Sequence, residues 1–185
     1  DASRLDAELA RADLQAIDLA QLLEAVVAMA SNVDRGDGVH VSLDVAPREG
    51  GEGPRGWRVL GQDSRLAQVI NNLIDNARSF STQGASVRVG LRPARLNDGD
   101  PRDGVEIIVD DDGPGVPDHA FERIFERFYT DRPNQGFGQN SGLGLSISRQ
   151  IVEAHGGRIW AQNRTAPETG AVAGARFTVW LPAAP

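Results

Sequence analysis

Arg65-Leu-Ala-Gln-Val-Ile-Asn-Asn-Leu-Ile-Asp-Asn-Ala-Arg-Ser-Phe80 is the stretch on which the reading of this chain turns. Leu66, Val69, Ile70, Leu73, Ile74 and Ala77 recur at helical spacing, so the run predicts an amphipathic helix. Asn72 and Asn76 are four apart and therefore project from one face, beside the apolar stripe. Asparagine is a poor helix former, and an unpaired buried amide costs roughly 1–3 kcal/mol. A pair placed there despite both costs has two readings. Its side-chain carbonyls suit a hard cation such as Mg2+ together with phosphate oxygens, or it is a surface pair that caps neighbouring loops.

On the N-terminal side, Leu5, Leu9 and Ala12 form a short stripe within residues 1–14, too short for a stable lone helix. A second helix is predicted from Leu19 to Ser31, then a strand over Val39–Val45, a Gly- and Pro-rich loop over Arg48–Gly56, and a short strand at Trp57–Leu60. Beyond the asparagine helix, Ser86–Arg92 alternates as a strand, Leu96–Gly104 is a polar turn, and Val105–Val109 is an apolar strand. His119–Phe128 reads as a short helix, Thr130–Ser141 as a loop, and Leu143–Ala154 as a helix stopped by Gly156-Gly157. Arg158–Arg164 and Ala175–Leu181 complete the pattern as a strand pair. Strands with intervening helices predict an α/β fold, a two-layer sandwich with a mixed, mostly antiparallel sheet packed on helices.

Composition removes whole classes of function. The chain has 185 residues, 40% hydrophobic and 24% charged, which suits one globular core. A net charge of -7 and no basic stripe exclude a general nucleic-acid binder. No apolar run approaches a membrane span, so no membrane contact is expected, and the opening Asp1-Ala-Ser-Arg4 reads as that of an excised fragment. The absence of cysteine rules out disulfides and thiolate metal sites and agrees with a reducing compartment. Lysine is absent too, which excludes both a Walker A loop and the strand lysine of eukaryotic-type kinases. If this chain binds ATP, it does so by another architecture.

Two further segments carry chemistry. Val109-Asp-Asp-Asp-Gly-Pro-Gly-Val116 follows the apolar strand, its glycines allowing a sharp turn and its carboxylate able to accept from an exocyclic amine; an acidic turn is the plain alternative. Gly142-Leu-Gly-Leu-Ser146 opens a helix whose first-turn N–H groups form an anion site, or is simply a flexible helix start.

In this order the segments resemble the N, G1, F and G2 boxes of bacterial sensor histidine kinases, whose ATP-binding domain has the Bergerat fold shared with gyrase, MutL and Hsp90. Ile124-Phe-Glu-Arg-Phe-Tyr129 is the F-box element, and Ser148–Gly157 resembles the helix that follows the G2 box. The resemblance covers about Leu19 to Pro182. It implies a domain spanning 16–185, with residues 1–15 as the tail of a dimerisation helix. It implies ATP and Mg2+ as cofactors, Asn76 as the Mg2+ ligand and Asn72 beside the triphosphate. Asp111 becomes the adenine-reading carboxylate, flanked by Gly113 and Gly115, with Phe80, Ile124 and Tyr129 lining the nucleotide. Ser141, Gly142, Leu143, Gly144 and Leu145 form the lid hinge and phosphate-facing amides. The Asp131-Arg-Pro133 and Gly138-Gln-Asn-Ser-Gly142 wording of the lid resembles the ChvG type of envelope sensor.

Hydrolytic Bergerat relatives carry Glu where Asn72 stands; asparagine has no useful proton affinity at neutral pH, so it cannot serve as a base. The γ-phosphate is thereby expected to be kept for a histidine on the upstream dimerisation domain. Two departures from the family stand out: Ser79 occupies a position that is often basic, and Thr130 follows the F-box tyrosine where Arg is common. Arg78 or Arg132 is the candidate for the missing cation, Arg78 being alternatively a solvated helix residue. His40, His119 and His155 lack a phosphoacceptor context, so no self-labelling is expected. The implied protein is the cytoplasmic part of an inner-membrane-anchored bacterial sensor that addresses a response regulator, the fragment itself being monomeric. The competing readings are a Bergerat ATPase that drives conformational change and a non-catalytic nucleotide-binding module.

Overall fold

The computed structural model describes residues 3–4, 7, 14–47, 57–96, 103–129 and 144–185. In chain order the elements are β1 (Gln15–Asp18), α1 (Leu19–Asn32), β2 (His40–Val45), β3 (Arg58–Gly61), α2 (Asp63–Phe80), β4 (Ser86–Arg95) and β5 (Asp103–Asp110). Two 3-10 turns, Asp118–Ala120 and Arg123–Phe125, precede α3 (Gly144–Ala154), β6 (Arg158–Thr165) and β7 (Val172–Pro182).

The five-stranded sheet runs β2-β4-β5-β7-β6, and only the β2–β4 pair is parallel. Strand alternation turns Val87, Val89 and Leu91 of β4, Val105, Ile107 and Val109 of β5, and Phe177, Val179 and Leu181 of β7 toward the helices. Facing them, α2 buries Leu66, Val69, Ile70, Leu73, Ile74 and Ala77, the stripe read from the sequence. The asparagine helix is therefore pinned by its whole apolar face, leaving the amide face to the edge of the core. At the start of α1, Asp18 caps the helix, its Oδ1 accepting from the backbone N–H groups of Ala20 and Gln21. The two-layer α/β sandwich with a mixed, mostly antiparallel sheet is the architecture expected from the sequence.

Two elements differ from expectation. β1 pairs antiparallel with β3 in a separate two-stranded sheet, Ile17 opposite Val59. Only Ile17 of its four residues is buried, so β1 has no readable alternation and exists through a partner some forty residues on. The helix expected over 119–128 is replaced by the two 3-10 turns: Glu126 leaves helical geometry at ψ 148 and Phe128 adopts φ 64. The stripe of Leu5, Leu9 and Ala12 lies outside the described residues; within residues 1–14, Ser3, Arg4 and Ala7 are helical. The predicted loop over Thr130–Ser141 lies outside them as well. Among the described residues no helix is long and apolar enough to cross a membrane.

Candidate functional site

The amide face of α2 meets the first turn of α3. Asn72 Nδ2 donates to the Gly144 carbonyl at 3.2 Å and to Ser148 Oγ at 3.3 Å. A carbonyl only accepts, so the nitrogen of this amide must face α3 and its Oδ1 must turn away, toward the open side. Asn76 stands one turn on, half-buried, and among the described residues its side chain makes no hydrogen bond. A half-buried amide without a protein partner has oxygen to offer a ligand. The group therefore fits a divalent cation carrying phosphate oxygens. Among the described residues no cluster of three or more His, Asp or Glu could hold such an ion unaided.

At the C-terminal end of α2 lies the acidic loop. Strand alternation separates its three carboxylates. Asp110 and Asp112 fall on the outer face, where arginines take them: Arg176 holds Asp110 at 2.7 and 2.9 Å, and Arg88 holds Asp112 at 2.7 and 3.1 Å. Arg164 reaches Asp112 at 3.0 Å and the Asp111 carbonyl at 2.9 Å. Arg88 keeps the Asp112 carboxyl below its ordinary range. Asp111, in phase with Val105, Ile107 and Val109, turns inward and is 2% exposed. Its Oδ1 accepts from the Gly113 N–H at 2.9 Å and the Ala175 N–H at 3.1 Å. Oδ2 takes no hydrogen bond among the described residues, and none of their buried side-chain polar atoms lacks a partner, so Oδ2 keeps access to the open side. Desolvation pushes the Asp111 carboxyl above the ordinary value, against the two backbone N–H bonds that favour the carboxylate.

The glycines of this loop are accounted for by the protein's own packing. A side chain at Gly113 would meet the Phe80 carbonyl at 2.8 Å, which fixes the acidic loop against the end of α2. Gly115 has φ 81, and a side chain there would meet Val172 at 2.6 Å and Asn163 at 2.7 Å. Asn163 clamps the following residue from both sides, accepting from the Val116 N–H at 2.7 Å and donating to its carbonyl at 2.8 Å. The space beside the Gly115 α-carbon therefore belongs to β6 and β7.

In the aromatic segment Phe125 is buried edge-on against Phe177, ring centres 6.2 Å apart, and Arg149 of α3 lies over its other side at 5.4 Å. Ile124 and Leu145 pack against the core, while Tyr129 is half-buried beneath the Arg123 guanidinium. Arg132, Ser141, Gly142 and Leu143 lie outside the described residues.

The two ends of the site are joined by one helix. Asn72 touches Gly144 and Phe80 touches Gly113, and eight residues of helix separate them by about 12 Å. Residues 61–185 match the family described as histidine kinase-, DNA gyrase B- and HSP90-like ATPases. The chain belongs to this family. It is 48% identical over 186 residues to the sensor protein ChvG of Agrobacterium fabrum, covering 100% of this chain and 30% of that protein. Among solved structures it resembles a mycobacterial sensor histidine kinase, MprB, at TM-score 0.68 and 27% identity, over 93% of this chain and 99% of that one. Full-length ShkA, solved with AMPPNP, matches at TM-score 0.68 and 25% identity, over 98% of this chain and 34% of that one. Within the ATPase family the chain corresponds to the catalytic, ATP-binding domain of the sensor histidine kinases. It spans 30–31% of the length of the ChvG relatives.

One expected site residue stands elsewhere. Arg78 lies about 120° around α2 from Asn72 and is only 7% exposed. Its guanidinium donates to both Asp37 oxygens, at 3.1 and 3.3 Å, and to the Ala30 carbonyl at 3.1 Å. The expectation that it serves the phosphates is corrected: it ties α2 to the end of α1, and it is no solvated residue either. Three residues that shape the site were not anticipated. Ser148 shares the Asn72 amide, and Asn163 sits at a core-phase position after Ile159 and Ala161, a polar residue out of pattern that sequence could have flagged. Gly174 is the third: the Asp111 carbonyl occupies the place of its side chain.

Proposed function

We propose that this domain binds Mg2+–ATP along α2 and delivers the γ-phosphate to a histidine on an upstream dimerisation domain, whose tail is the segment before β1; Gln15, expected in that tail, belongs to β1 instead. The observation that carries this reading is the pair of open acceptors along the C-terminal half of one helix: Asp111 Oδ2, in the loop beside its Phe80 end, for the exocyclic amine of adenine, and the amide of Asn76, one turn earlier, for the metal. Between them, Phe80 and Tyr129 flank the nucleotide and Asn72 Oδ1 faces the triphosphate. The N–H groups at the start of α3 lie beside Asn72 and receive phosphate oxygens, with Gly142 and Gly144 as hinge. The metal would neutralise phosphate charge during transfer. Arg132 supplies the further cation that Ser79 cannot. Because the amide at Asn72 is engaged with α3 and cannot take up a proton, water at the γ-phosphate finds no base there. The remaining partner is a response regulator, and the domain works on the cytoplasmic side of an inner-membrane sensor.

The test is radiolabelled Mg2+–ATP offered to this chain alone and to the protein that carries its dimerisation domain. Acid-labile, base-stable phosphate on the longer protein, with none on the domain alone and negligible free phosphate released, is the expected result. Steady ATP turnover by the isolated domain, without phosphohistidine on the longer protein, would instead identify a conformational ATPase.

A further inference from the structure

Ser148 is the one residue of α3 with no solvent exposure that carries a polar side chain, and its hydroxyl sits in the seam between α2 and α3. It donates to the Gly144 carbonyl at 2.8 Å and accepts from Asn72 Nδ2 at 3.3 Å, while Asn72 Nδ2 also donates to that same carbonyl at 3.2 Å. The three groups close a triangle. The carbonyl and the hydroxyl are too close together for the two diverging N–H bonds of the Asn72 amide to take one each, so they share the N–H that points into the seam. A flipped amide would set its oxygen against the Gly144 carbonyl and leave the Ser148 hydroxyl, already committed as a donor, without a proton to accept. We propose that Ser148 is a positioning residue for nucleotide binding: its buried hydroxyl holds Asn72 in the one orientation that presents Oδ1 to the phosphates, and it couples that orientation to the first turn of the phosphate-facing helix. The proposal rests on the nucleotide site described above.

The same triangle links two elements that a bound nucleotide touches separately. Gly144 opens α3, where the free N–H groups lie, and Asn72 stands on α2 one turn before Asn76. A hydroxyl that both donates and accepts is what such a junction needs, since neither alanine nor valine provides either function. Threonine retains both.

The test is calorimetry of Mg2+–AMPPNP binding to the chain with Ser148→Ala, Ser148→Thr, Asn72→Ala and the Ser148→Ala/Asn72→Ala pair. Losing one neutral hydrogen bond at the junction should weaken binding about fivefold in Ser148→Ala, with Ser148→Thr within about twofold of the parent. In the Asn72→Ala background the further substitution Ser148→Ala should add nothing, because the amide that the hydroxyl positions is gone. Fully additive losses would overturn the positioning role, as would undiminished affinity in Ser148→Ala while Asn72→Ala binds weakly. Full affinity in Asn72→Ala itself would overturn the nucleotide reading beneath it. Should Ser148→Thr fold poorly, the double-mutant cycle alone decides.

Discussion

Asp111→Asn is the substitution that most sharply separates the structural work of this carboxylate from its recognition work. The side chain is isosteric, and its oxygen can keep the Oδ1 place, accepting from the Gly113 and Ala175 N–H groups at 2.9 and 3.1 Å. The nitrogen then occupies the Oδ2 place and points two donors at the open side, where a carboxylate had offered an acceptor. Against adenine this replaces a hydrogen bond to a charged acceptor, about 1.5–3 kcal/mol, by two donors facing each other. ATP affinity should fall roughly 10- to 150-fold. Inosine triphosphate, which presents a carbonyl where adenine presents an amine, should bind Asp111→Asn better than it binds the parent. Folding should survive, since the neutral amide removes the burial penalty that raises the Asp111 carboxyl. Asp111→Ala, by contrast, leaves two backbone N–H groups unpaired and costs about 2–6 kcal/mol of stability. The raised carboxyl adds a pH signature with a defined sign. The folded group takes up its proton at a higher pH than the ordinary value of 3.8, so ATP affinity declines on acidification earlier than a normal carboxylate would cause. Protonation relieves the burial penalty of the carboxylate, so this group's contribution to folding stability rises as pH falls. Calorimetry with both nucleotides across pH reads all of this. Parent and Asp111→Asn chains with the same ATP affinity and the same preference over inosine triphosphate would refute the reasoning.

Arg78→Ala should lower stability without touching the site. It removes a guanidinium that is 7% exposed and leaves Asp37 and the Ala30 carbonyl without their partner. About 2–3 kcal/mol, or roughly 5–10 °C in melting temperature, is expected, with ATP affinity within about twofold of the parent. The hydrogen bond from Arg78 holds the Asp37 carboxyl below 3.8, so its stabilisation is present above 3.8 and is lost as pH falls through the depressed folded value. Acid melts should show that loss in the parent and a smaller one in Arg78→Ala. His155 supplies a second pH dependence. Its Nε2 accepts from the Gln62 N–H at 3.2 Å and its Nδ1 lies 2.7 Å from the Ile151 carbonyl, so the neutral ring ties the end of α3 to the start of α2. Burial lowers its pKa below 6.5; the stability of the neutral form is present above 6.5 and is lost as pH falls from there toward the folded value. Chemical denaturation at pH 7.5 and at mildly acidic pH should show this slope, and His155→Gln should flatten it.

The fold was legible where periodicity was long. The α2 stripe and the alternation of β4 and β5 state which faces are buried, and those are the faces found buried. β1 was invisible because four residues with one buried member carry no pattern, and its pairing is a property of β3. The aromatic segment misled because Ile124, Phe125 and Phe128 mimic helical spacing, whereas the chain turns extended at Glu126 and left-handed at Phe128. At the site, strand phase accounts for Asp111 being the inward carboxylate of three. Arg78 could not be read correctly from one sequence, since its partner Asp37 lies in a loop whose position only the packed α1–α2 pair defines. Ser148 was hidden for the same reason: its hydroxyl acquires meaning only from the helix it faces.

The central claim is that a metal-bound triphosphate rests on Asn76. Calorimetry of ATP binding to the parent and to Asn76→Ala, each with Mg2+ and with a chelator, tests it most directly. The parent should gain affinity from Mg2+, and Asn76→Ala should lose most of that gain while its binding in chelator, set by Asp111 and the adenine, stays near the parent's. An Asn76→Ala chain that still gains the full Mg2+ increment would contradict the account.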